Sequence, residues 1–285
     1  MSFPGRVPVW RRQGLSCQVH LESVFLGWIG AAEKSEKAEE VVVDEERFLA
    51  EGLEWFRKAM VGIGLDPERV LQRKVESWLR YFYRWPGRRI SGFSGAKEVA
   101  IKLLADSFGI ALVPECVRVG RVLDLGSGNG WPGLAVKLLR EEVELVLMDS
   151  RSRACDFLRG FVASSGFAGV EVVWRRGEEA AKDGEYREKF GLVTSRAMAA
   201  PGIVLEIGAG FVEIGGKVAL WLSPEQKNLV REEALFQLGL MVCGFRDYVL
   251  PEIGLGRAIG IFQKVAPTPE RFPRRYSAIK KKPLM

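Results

Sequence analysis

The fold of this chain is decided by the stretch Val122-Leu-Asp-Leu-Gly-Ser-Gly-Asn-Gly-Trp-Pro-Gly133. A short apolar run that ends in clustered glycines is typical of a buried parallel strand leading into a phosphate- or nucleoside-binding turn. The glycines permit positive φ angles and let a ligand approach the backbone closely. An amphipathic run to Leu139 follows, with Pro132 at the expected first helical position. A second apolar run then ends on Asp149, 23 residues after Gly126.

The order of strand, glycine turn, helix, strand and acid predicts a nucleoside cofactor site. An acid about 20 residues after the turn is placed to accept hydrogen bonds from ribose hydroxyls. The alternative is a tight turn in an ordinary doubly wound sheet, without a ligand. Asp124 lies two residues before Gly126, where its charge would repel a pyrophosphate but tolerate a sulfonium. S-adenosylmethionine therefore fits better than NAD, and we expect Asp124, Gly126, Gly128 and Asp149 to bind it.

Apolar periodicity predicts three helices before this stretch and alternating strands and helices after it. The helices are expected from Glu46 to about Met60, from Asp66-Pro67 to Pro86-Gly87, and over about 95–108. Further strands are expected over 170–174, 190–194, 217–222, 248–250 and 257–264, with helices over 151–165, 205–211 and 224–238. This alternation implies an α/β fold with a mostly parallel sheet. We divide the chain into an N-terminal extension that is partly disordered (1–45), a helical cap (46–119), a main domain (120–265) and a basic tail (266–285).

The composition is that of a globular chain. Apolar residues make up 47% of the 285, and no apolar run reaches the 18 residues of a membrane span. Residues 21–32 include Glu22 and lack a strongly basic start, which indicates a short helix rather than an export signal. The four cysteines are far apart, so neither a zinc site nor a disulfide framework is expected, and a cytoplasmic location is predicted. His20 is the single histidine, which excludes sites built on paired histidines, and no metal is predicted.

The net charge of +6 is concentrated at the C-terminal end of the chain. From Lys264 onward seven basic residues stand against one acid, Glu270, so this segment carries the whole excess. Such a tail points to a polyanionic partner. The alternative is a solvated segment that only keeps the protein soluble. The residues expected to contact the polyanion are Arg271, Arg274, Arg275, Lys280, Lys281 and Lys282.

Several motifs carry a family resemblance. They are the glycine block with Trp131-Pro-Gly133, the segments Leu147-Met-Asp-Ser150 and Thr194-Ser-Arg-Ala197, Leu250-Pro251 followed by Arg257 and Lys264, and the tail from Arg271 to Leu284. In combination they resemble the bacterial small-subunit ribosomal RNA guanine-N7 methyltransferases, also called the glucose-inhibited division protein B family. The resemblance runs from about residue 47 to the end of the chain.

The resemblance implies a fold and a cofactor site. The fold is that of a class I S-adenosylmethionine-dependent methyltransferase, Rossmann-like and with an N-terminal helical cap. By position, Gly126 and Trp131 line the methionine and adenosine end of the cofactor, and Asp149 takes the ribose. Gly177 and Glu178 present backbone and side chain to the adenine. The implied reaction is methylation of N7 of a guanine in 16S ribosomal RNA.

Arg196 is the candidate catalytic residue. The resemblance places it beside the cofactor and the incoming base, and its position after a strand end suits it to hold a phosphate or a guanine O6. A surface arginine in a loop is the alternative. Methyl transfer to a ring nitrogen requires that the two reactants be positioned, but it requires no general base. A chain with a single histidine is compatible with that requirement. Lys102, Gly191 and Leu222-Ser223 depart from the family's usual residues, and these departures concern the RNA-facing details more than the cofactor.

Two other functions stay open. One is a class I methyltransferase with another RNA acceptor, and the other is a catalytically decayed relative that only binds RNA. The basic tail argues against a small-molecule acceptor. The expected partner is 16S ribosomal RNA or the small ribosomal subunit, with no membrane involved, and the protein is expected to be a monomer.

Overall fold

The computed structural model describes residues 34–70, 72–86, 90–117 and 119–285, with side chains from residue 44 onward. The short helix expected at 21–32, His20 and the helix stop at Gly87 lie outside the described residues. The chain divides into two compact units, Met1–Asp44 and Glu45–Met285. Of the first unit only residues 34–44 are described, and they are helical. The second unit contains the sheet and every site residue predicted above.

A seven-stranded sheet forms the centre of the second unit, in the order β3-β2-β1-β4-β5-β7-β6. The strands are β1 Arg121–Leu125, β2 Glu144–Asp149, β3 Val170–Trp174, β4 Phe190–Arg196, β5 Val212–Leu222, β6 Leu240–Leu250 and β7 Leu255–Lys264. Strands β1 to β5 pair in parallel, and β7 runs antiparallel to both β5 and β6. The predicted parallel sheet with a closing pair is confirmed. Strands β2 and β3 lie on one side of β1, and β4 and the later strands lie on the other, so the topological switch point is between β1 and β4. A ligand is therefore expected at the carboxyl ends of these two strands.

Helices connect the strands and cover both faces of the sheet. They are α1 Lys34–Gly62, α2 Gln72–Arg84, α3 Gly133–Leu139, α4 Ser152–Ser165, α5 Gly177–Ala180, α6 Pro201–Ala209, α7 Pro224–Lys227, α8 Glu232–Gln237 and α9 Tyr276–Lys281. The segment expected as one helix over 95–108 is α-helical at Ala96–Glu98 and Asp106–Phe108 but π-helical at Val99–Ala105.

Three local predictions are corrected. The helix expected over 224–238 is two short helices, α7 and α8. Asp66 caps a short 3₁₀ turn, Pro67–Arg69, because its carboxylate accepts from the Glu68 amide and the next helix begins only at Gln72. Pro132 is the residue that precedes α3 rather than its first residue.

Buried side chains form one hydrophobic core on each face of the sheet. On β1, Val122 belongs to one core and Leu123 to the other, because successive strand residues point to opposite faces. Helix α2 contributes Trp78, whose ring meets those of Trp131 and Phe157 edge-on at 5.5 and 6.3 Å. Burial on both faces is the reason that β1, β2 and β4 read as continuous apolar runs.

Candidate active site

The turn after β1 depends on its three glycines. Gly126, Gly128 and Gly130 have φ angles of 72°, 57° and 97°, as the glycine cluster predicted. A Cβ on Gly126 would lie 2.5 Å from Cγ of Met198, so a side chain there meets both backbone strain and a steric clash. The turn is held against β2, because the amides of Gly126 and Ser127 donate to the Met148 carbonyl at 2.9 and 3.0 Å.

Asp149, at the end of β2, is bound directly to this turn. Its carboxylate is 4% exposed, and its Oδ2 accepts from the Gly128 amide at 2.8 Å. Its Oδ1 accepts from the Arg151 amide at 2.9 Å, while the Arg151 guanidinium lies 3.2 and 3.3 Å from the two oxygens. A carboxylate has about four acceptor sites, so ribose hydroxyls would replace the guanidinium. Arg151 is 66% exposed in its side chain and can return to water.

Asp124 lies beneath the turn with its side chain in the core, and its predicted contact with the cofactor stays a prediction. Its side chain is completely buried, and its Oδ1 accepts from the Thr194 hydroxyl at 2.7 Å. Its Oδ2 has no hydrogen-bond partner in the described part of the chain. Burial raises the pKa of Asp124 to about 7, and the Thr194 hydroxyl limits this rise. Asp124 therefore supports the turn from the core.

A cavity of about 370 Å³ opens at the carboxyl ends of β1 and β2. Its lining brings together four predicted cofactor residues from three segments of the chain: Gly126, Asp149, Gly177 and Glu178. Met198, Ile207 and Tyr276 supply apolar surface. Gly177 must be small here, since a Cβ would lie 2.8 Å from Leu125 and 3.0 Å from Ile207. An acid beside apolar side chains in one cavity suits a nucleoside, with its ribose at Asp149.

A second cavity, of about 490 Å³, shares Gly126 and Arg151 with the first. Its lining includes the other predicted residues, Gly128, Trp131 and Arg196. Trp131 is 3% exposed, and its indole N–H has no acceptor among the residues that the structure describes. A buried, unpaired donor in a cavity wall fits a ligand oxygen. The methionine carboxylate of S-adenosylmethionine supplies such an oxygen, so these residues fit the group.

Asp106 organises the polar side of this second cavity. Its carboxylate is completely buried and receives the Tyr248 hydroxyl at 2.6 Å. It also meets the guanidinium of Arg196 at 3.2 Å and that of Arg257 at 3.5 Å. Arg196 donates in addition to the carbonyls of Lys102 and Leu103 at 3.2 and 3.0 Å. The two arginines thus meet different oxygens of one carboxylate in the cavity wall, and Nε of Arg257 makes no hydrogen bond within the described residues. One carboxylate balances only one of the two charges.

The sequence did not identify Asp106, Arg257 or Tyr248 as site residues. Burial, with Asp106 beside it, raises the pKa of Tyr248, so its hydroxyl stays protonated and acts as a donor. Tyr248 and Arg257 are cross-strand partners on β6 and β7, and that pairing brings both to Asp106. The resemblance included Arg257 among its motifs but gave it no role. A signal was present in the antiparallel pair, whose register could have placed Tyr248 opposite Arg257.

The basic tail is partly structural. Arg274 donates through Nε and Nη2 to the two oxygens of Glu206 at 2.9 and 2.6 Å, and Glu206 is completely buried. Lys264, also buried, lies 3.0 Å from Glu188. The guanidinium of Arg274 is thus bound to Glu206, and its predicted RNA contact stays a prediction. Five tail cations are exposed: Arg271, Arg275, Lys280, Lys281 and Lys282.

The fold and the site together define a class of protein. A mostly parallel sheet, a glycine turn after β1 and an acid at the end of β2 are the parts of a class I S-adenosylmethionine-dependent methyltransferase. A solved structure with this fold is the branched-chain polyamine synthase of Thermus thermophilus, in complex with N4-aminopropylspermidine and 5′-methylthioadenosine. It matches with a TM-score of 0.51 at 15% identity, over 71% of this chain and 66% of that one. This likeness concerns the fold alone.

Within that class, the chain belongs to the rRNA small subunit methyltransferase G family, whose model matches residues 74–240. A ribosomal RNA small subunit methyltransferase G from Dehalococcoides mccartyi is 33% identical over 230 residues, which are 78% of this chain and 96% of that protein. Its counterpart from Rubrobacter xylanophilus is 30% identical over 236 residues, 81% and 90% of the two chains. The resemblance stated from the motifs is confirmed.

Within the described residues, no helix has both the length and the apolar character needed to cross a bilayer.

Proposed function

We propose that this chain methylates N7 of a guanine in 16S ribosomal RNA, with S-adenosylmethionine as the methyl donor. The observation that carries the proposal is the pair of arginines at Asp106, which lines a cavity adjoining the cofactor cavity. Two fixed guanidinium groups suit the O6 and the phosphate of a guanine nucleotide. Membership of the rRNA small subunit methyltransferase G family supports the same acceptor.

The cofactor would be held by residues from both cavities. Asp149 would take the ribose hydroxyls, Gly177 and Glu178 would face the adenine, and Gly126 lets the ligand lie against the backbone. The Trp131 N–H would receive a carboxylate oxygen. When bound, S-adenosylmethionine supplies a methyl group already activated by its sulfonium.

Methylation of the acceptor requires mainly that the protein position the guanine base. Because N7 of guanine carries a lone pair and no proton, methylation at this atom would require no general base from the residues of the site. Arg196 and Arg257 would hold the base so that N7 points toward the cofactor cavity. The methylated ring carries the positive charge that the sulfonium gives up, so the net charge of the site does not change, and the carboxylate of Asp106 would lie close to that ring charge.

The partner is ribosomal RNA, free or within the small ribosomal subunit, and the protein acts in the cytoplasm as a monomer. Exposed cations in the tail would contact phosphates outside the cavity. They are Arg271, Arg275, Lys280, Lys281 and Lys282. Their contribution would be largely independent of RNA sequence, because phosphates carry no base identity.

The proposal is tested by methyl transfer to 16S RNA and to small subunits purified from a strain that lacks the gene. We expect a single N7-methylguanosine, mapped by aniline cleavage of the modified RNA. Arg196→Gln should lower kcat/KM by at least tenfold, because one charge-assisted bond is worth about 1.5–3 kcal/mol. Arg246→Gln, which removes an exposed arginine from β6, is the matched control and should leave the rate unchanged.

Two results would point to the other functions. Absence of heat on titration with S-adenosylmethionine would indicate a decayed RNA-binding relative. Cofactor binding without N7-methylguanosine in 16S RNA would indicate a different acceptor.

A further inference from the structure

An exposed tryptophan stands at the end of β3, one strand away from the cofactor acid. Trp174 is 57% exposed, and it is the sheet partner of Asp149. Its indole N–H donates to the Ser150 carbonyl at 3.0 Å. The ring is therefore fixed by its polar edge while much of its surface faces solvent. An amphipathic ring held in this way is typical of recognition surfaces.

Trp174 forms one wall of a third cavity, of about 330 Å³, and the rest of the lining is Ile90, Ser150, Arg151, Ser152, Arg153 and Ala154. Ser150 also lines the cavity of Asp149, and Arg151 lines all three cavities. The third cavity therefore adjoins the other two, and none of the described residues that line it is acidic.

The charge at this cavity is not internally balanced. Arg151 is bound to Asp149, but Arg153 is exposed and takes part in no hydrogen bond or ion pair in the part of the chain that the structure describes. Nearby, Arg175 is paired with Asp183 at 2.8 Å. Among the described residues that line this cavity, Arg153 is thus the cation without an ion-pair partner, and it is available to an anion beside the indole.

We infer that Trp174 and Arg153 bind a nucleotide of the RNA strand that flanks the target guanine. The base stacks on the indole face, and the phosphate meets the Arg153 guanidinium. Single-stranded nucleic acid is bound by this combination of aromatic surface and positive charge. A nucleotide fits this surface better than a protein does. Its planar base matches the flat indole ring, and its single phosphate matches the guanidinium of Arg153. This inference rests on the proposed function, since it concerns the same substrate.

The test measures binding to a 16S RNA transcript and to unmethylated small subunits. Trp174→Leu keeps an apolar side chain but removes the aromatic face, and we expect RNA affinity to fall about tenfold. Trp174→Phe should retain most of the affinity. Arg153→Gln should weaken binding and make the slope of log K against log salt shallower by about 0.7. Phe236→Ala, at an aromatic side chain that is 82% exposed on α8, is the matched control and should change neither quantity.

S-adenosylmethionine affinity, measured by calorimetry, separates stacking from structural support. We expect it to be unchanged in Trp174→Leu. An equal loss of cofactor and RNA affinity would overturn the inference and make the ring a support for Ser150. Unchanged affinity for the transcript with weaker binding of the subunit would also overturn it, in favour of a ribosomal protein contact.

The proposed function and this inference fail differently. If the wild-type protein methylates 16S RNA and Trp174→Leu binds it normally, the inference is wrong and the function stands. If no methylation occurs but RNA binding depends on Trp174 and Arg153, the surface stands and the function is wrong. A wild-type protein that binds neither RNA sample overturns both.

Discussion

Arg274 and Arg275 are adjacent in sequence and carry the same charge, yet the structure places them in different environments. Arg274 binds the buried Glu206 through Nε, Nη2 and its backbone amide, at 2.9, 2.6 and 2.9 Å. Arg275 is exposed. The substitutions Arg274→Gln and Arg275→Gln therefore remove the same charge from two environments. We expect the first to lower the free energy of unfolding and the second to lower RNA affinity.

The size of the stability effect follows from the burial of Glu206. Removing one partner of a buried ion pair costs about 3–5 kcal/mol, because the other charge stays buried and unpaired. Arg274 is 26% exposed in its side chain, so water reaches the pair and about 3 kcal/mol is the better figure. For a unit of this size each kcal/mol shifts Tm by about 2–4 °C. Arg274→Gln should thus lower Tm by about 6–12 °C, whereas Arg275→Gln should change the unfolding free energy by less than about 0.5 kcal/mol.

The assays are thermal unfolding by circular dichroism and RNA binding over a series of salt concentrations, well below either Tm. A lost phosphate contact makes the slope of log K against log salt shallower by about 0.7–0.9. That change is expected for Arg275→Gln and not for Arg274→Gln. In the double variant Arg274→Gln with Glu206→Gln, much of the lost stability should return, because no buried charge is left unpaired. An unchanged Tm with a shallower slope in Arg274→Gln would refute this reasoning and support Arg274 as an RNA contact.

Three further predictions concern the turn and its acids. Gly126→Val should abolish S-adenosylmethionine binding in calorimetry. Gly215→Val is the control, because Gly215 has a φ of 87° but no atom within 4 Å of an added Cβ; it should strain the backbone equally and leave binding intact. Asp149→Ala should weaken cofactor binding at least tenfold, since a charge-assisted bond is worth about 1.5–3 kcal/mol; a change below twofold would place the ribose elsewhere. The pKa of Asp124 is about 7 in the folded chain, against an ordinary value of 3.8. As pH rises from about 4 to 7, the free energy of unfolding of the wild type should therefore fall relative to that of Asp124→Asn, by at most about 1.4 kcal/mol per pH unit. If urea unfolding gave a free-energy difference between wild type and Asp124→Asn that did not change with pH, the raised pKa of Asp124 would be contradicted.

The elements that could be predicted are those with a local signal. Strand β3 was predicted with its observed ends, and β1 and β2 were located by apolar runs that burial on both faces requires. Strand β6 was predicted too short, beginning at 248 instead of Leu240. As the edge strand of the sheet it mixes exposed and buried residues, and a register shift between Val242 and Gly244 interrupts its alternation. Periodicity is weak where the surface is half solvated.

The parts of the site that could not be predicted depend on partners distant in sequence. Asp106 meets Arg196 across 90 residues and Tyr248 across 142. Nothing local distinguishes Asp106 from an acid on a solvated helix. The same limit applies to Asp124, whose position next to the glycines indicated a ligand contact, while its burial depends on Thr194 of the neighbouring strand.

The antiparallel pair β6–β7 acquires a role once Asp106 is seen as the centre of the cavity. Arg196 comes from the end of β4, Tyr248 from β6 and Arg257 from β7, and each meets the same carboxylate. Without the pair, Asp106 would face Arg196 alone, and a buried one-to-one ion pair would leave no excess positive charge for a nucleotide. With it, two guanidinium groups share one carboxylate, while the Tyr248 hydroxyl adds a donor but no charge. The closing strands therefore add one positive charge to the cavity at Asp106, and the parallel strands with the glycine turn build the neighbouring cavity at Asp149.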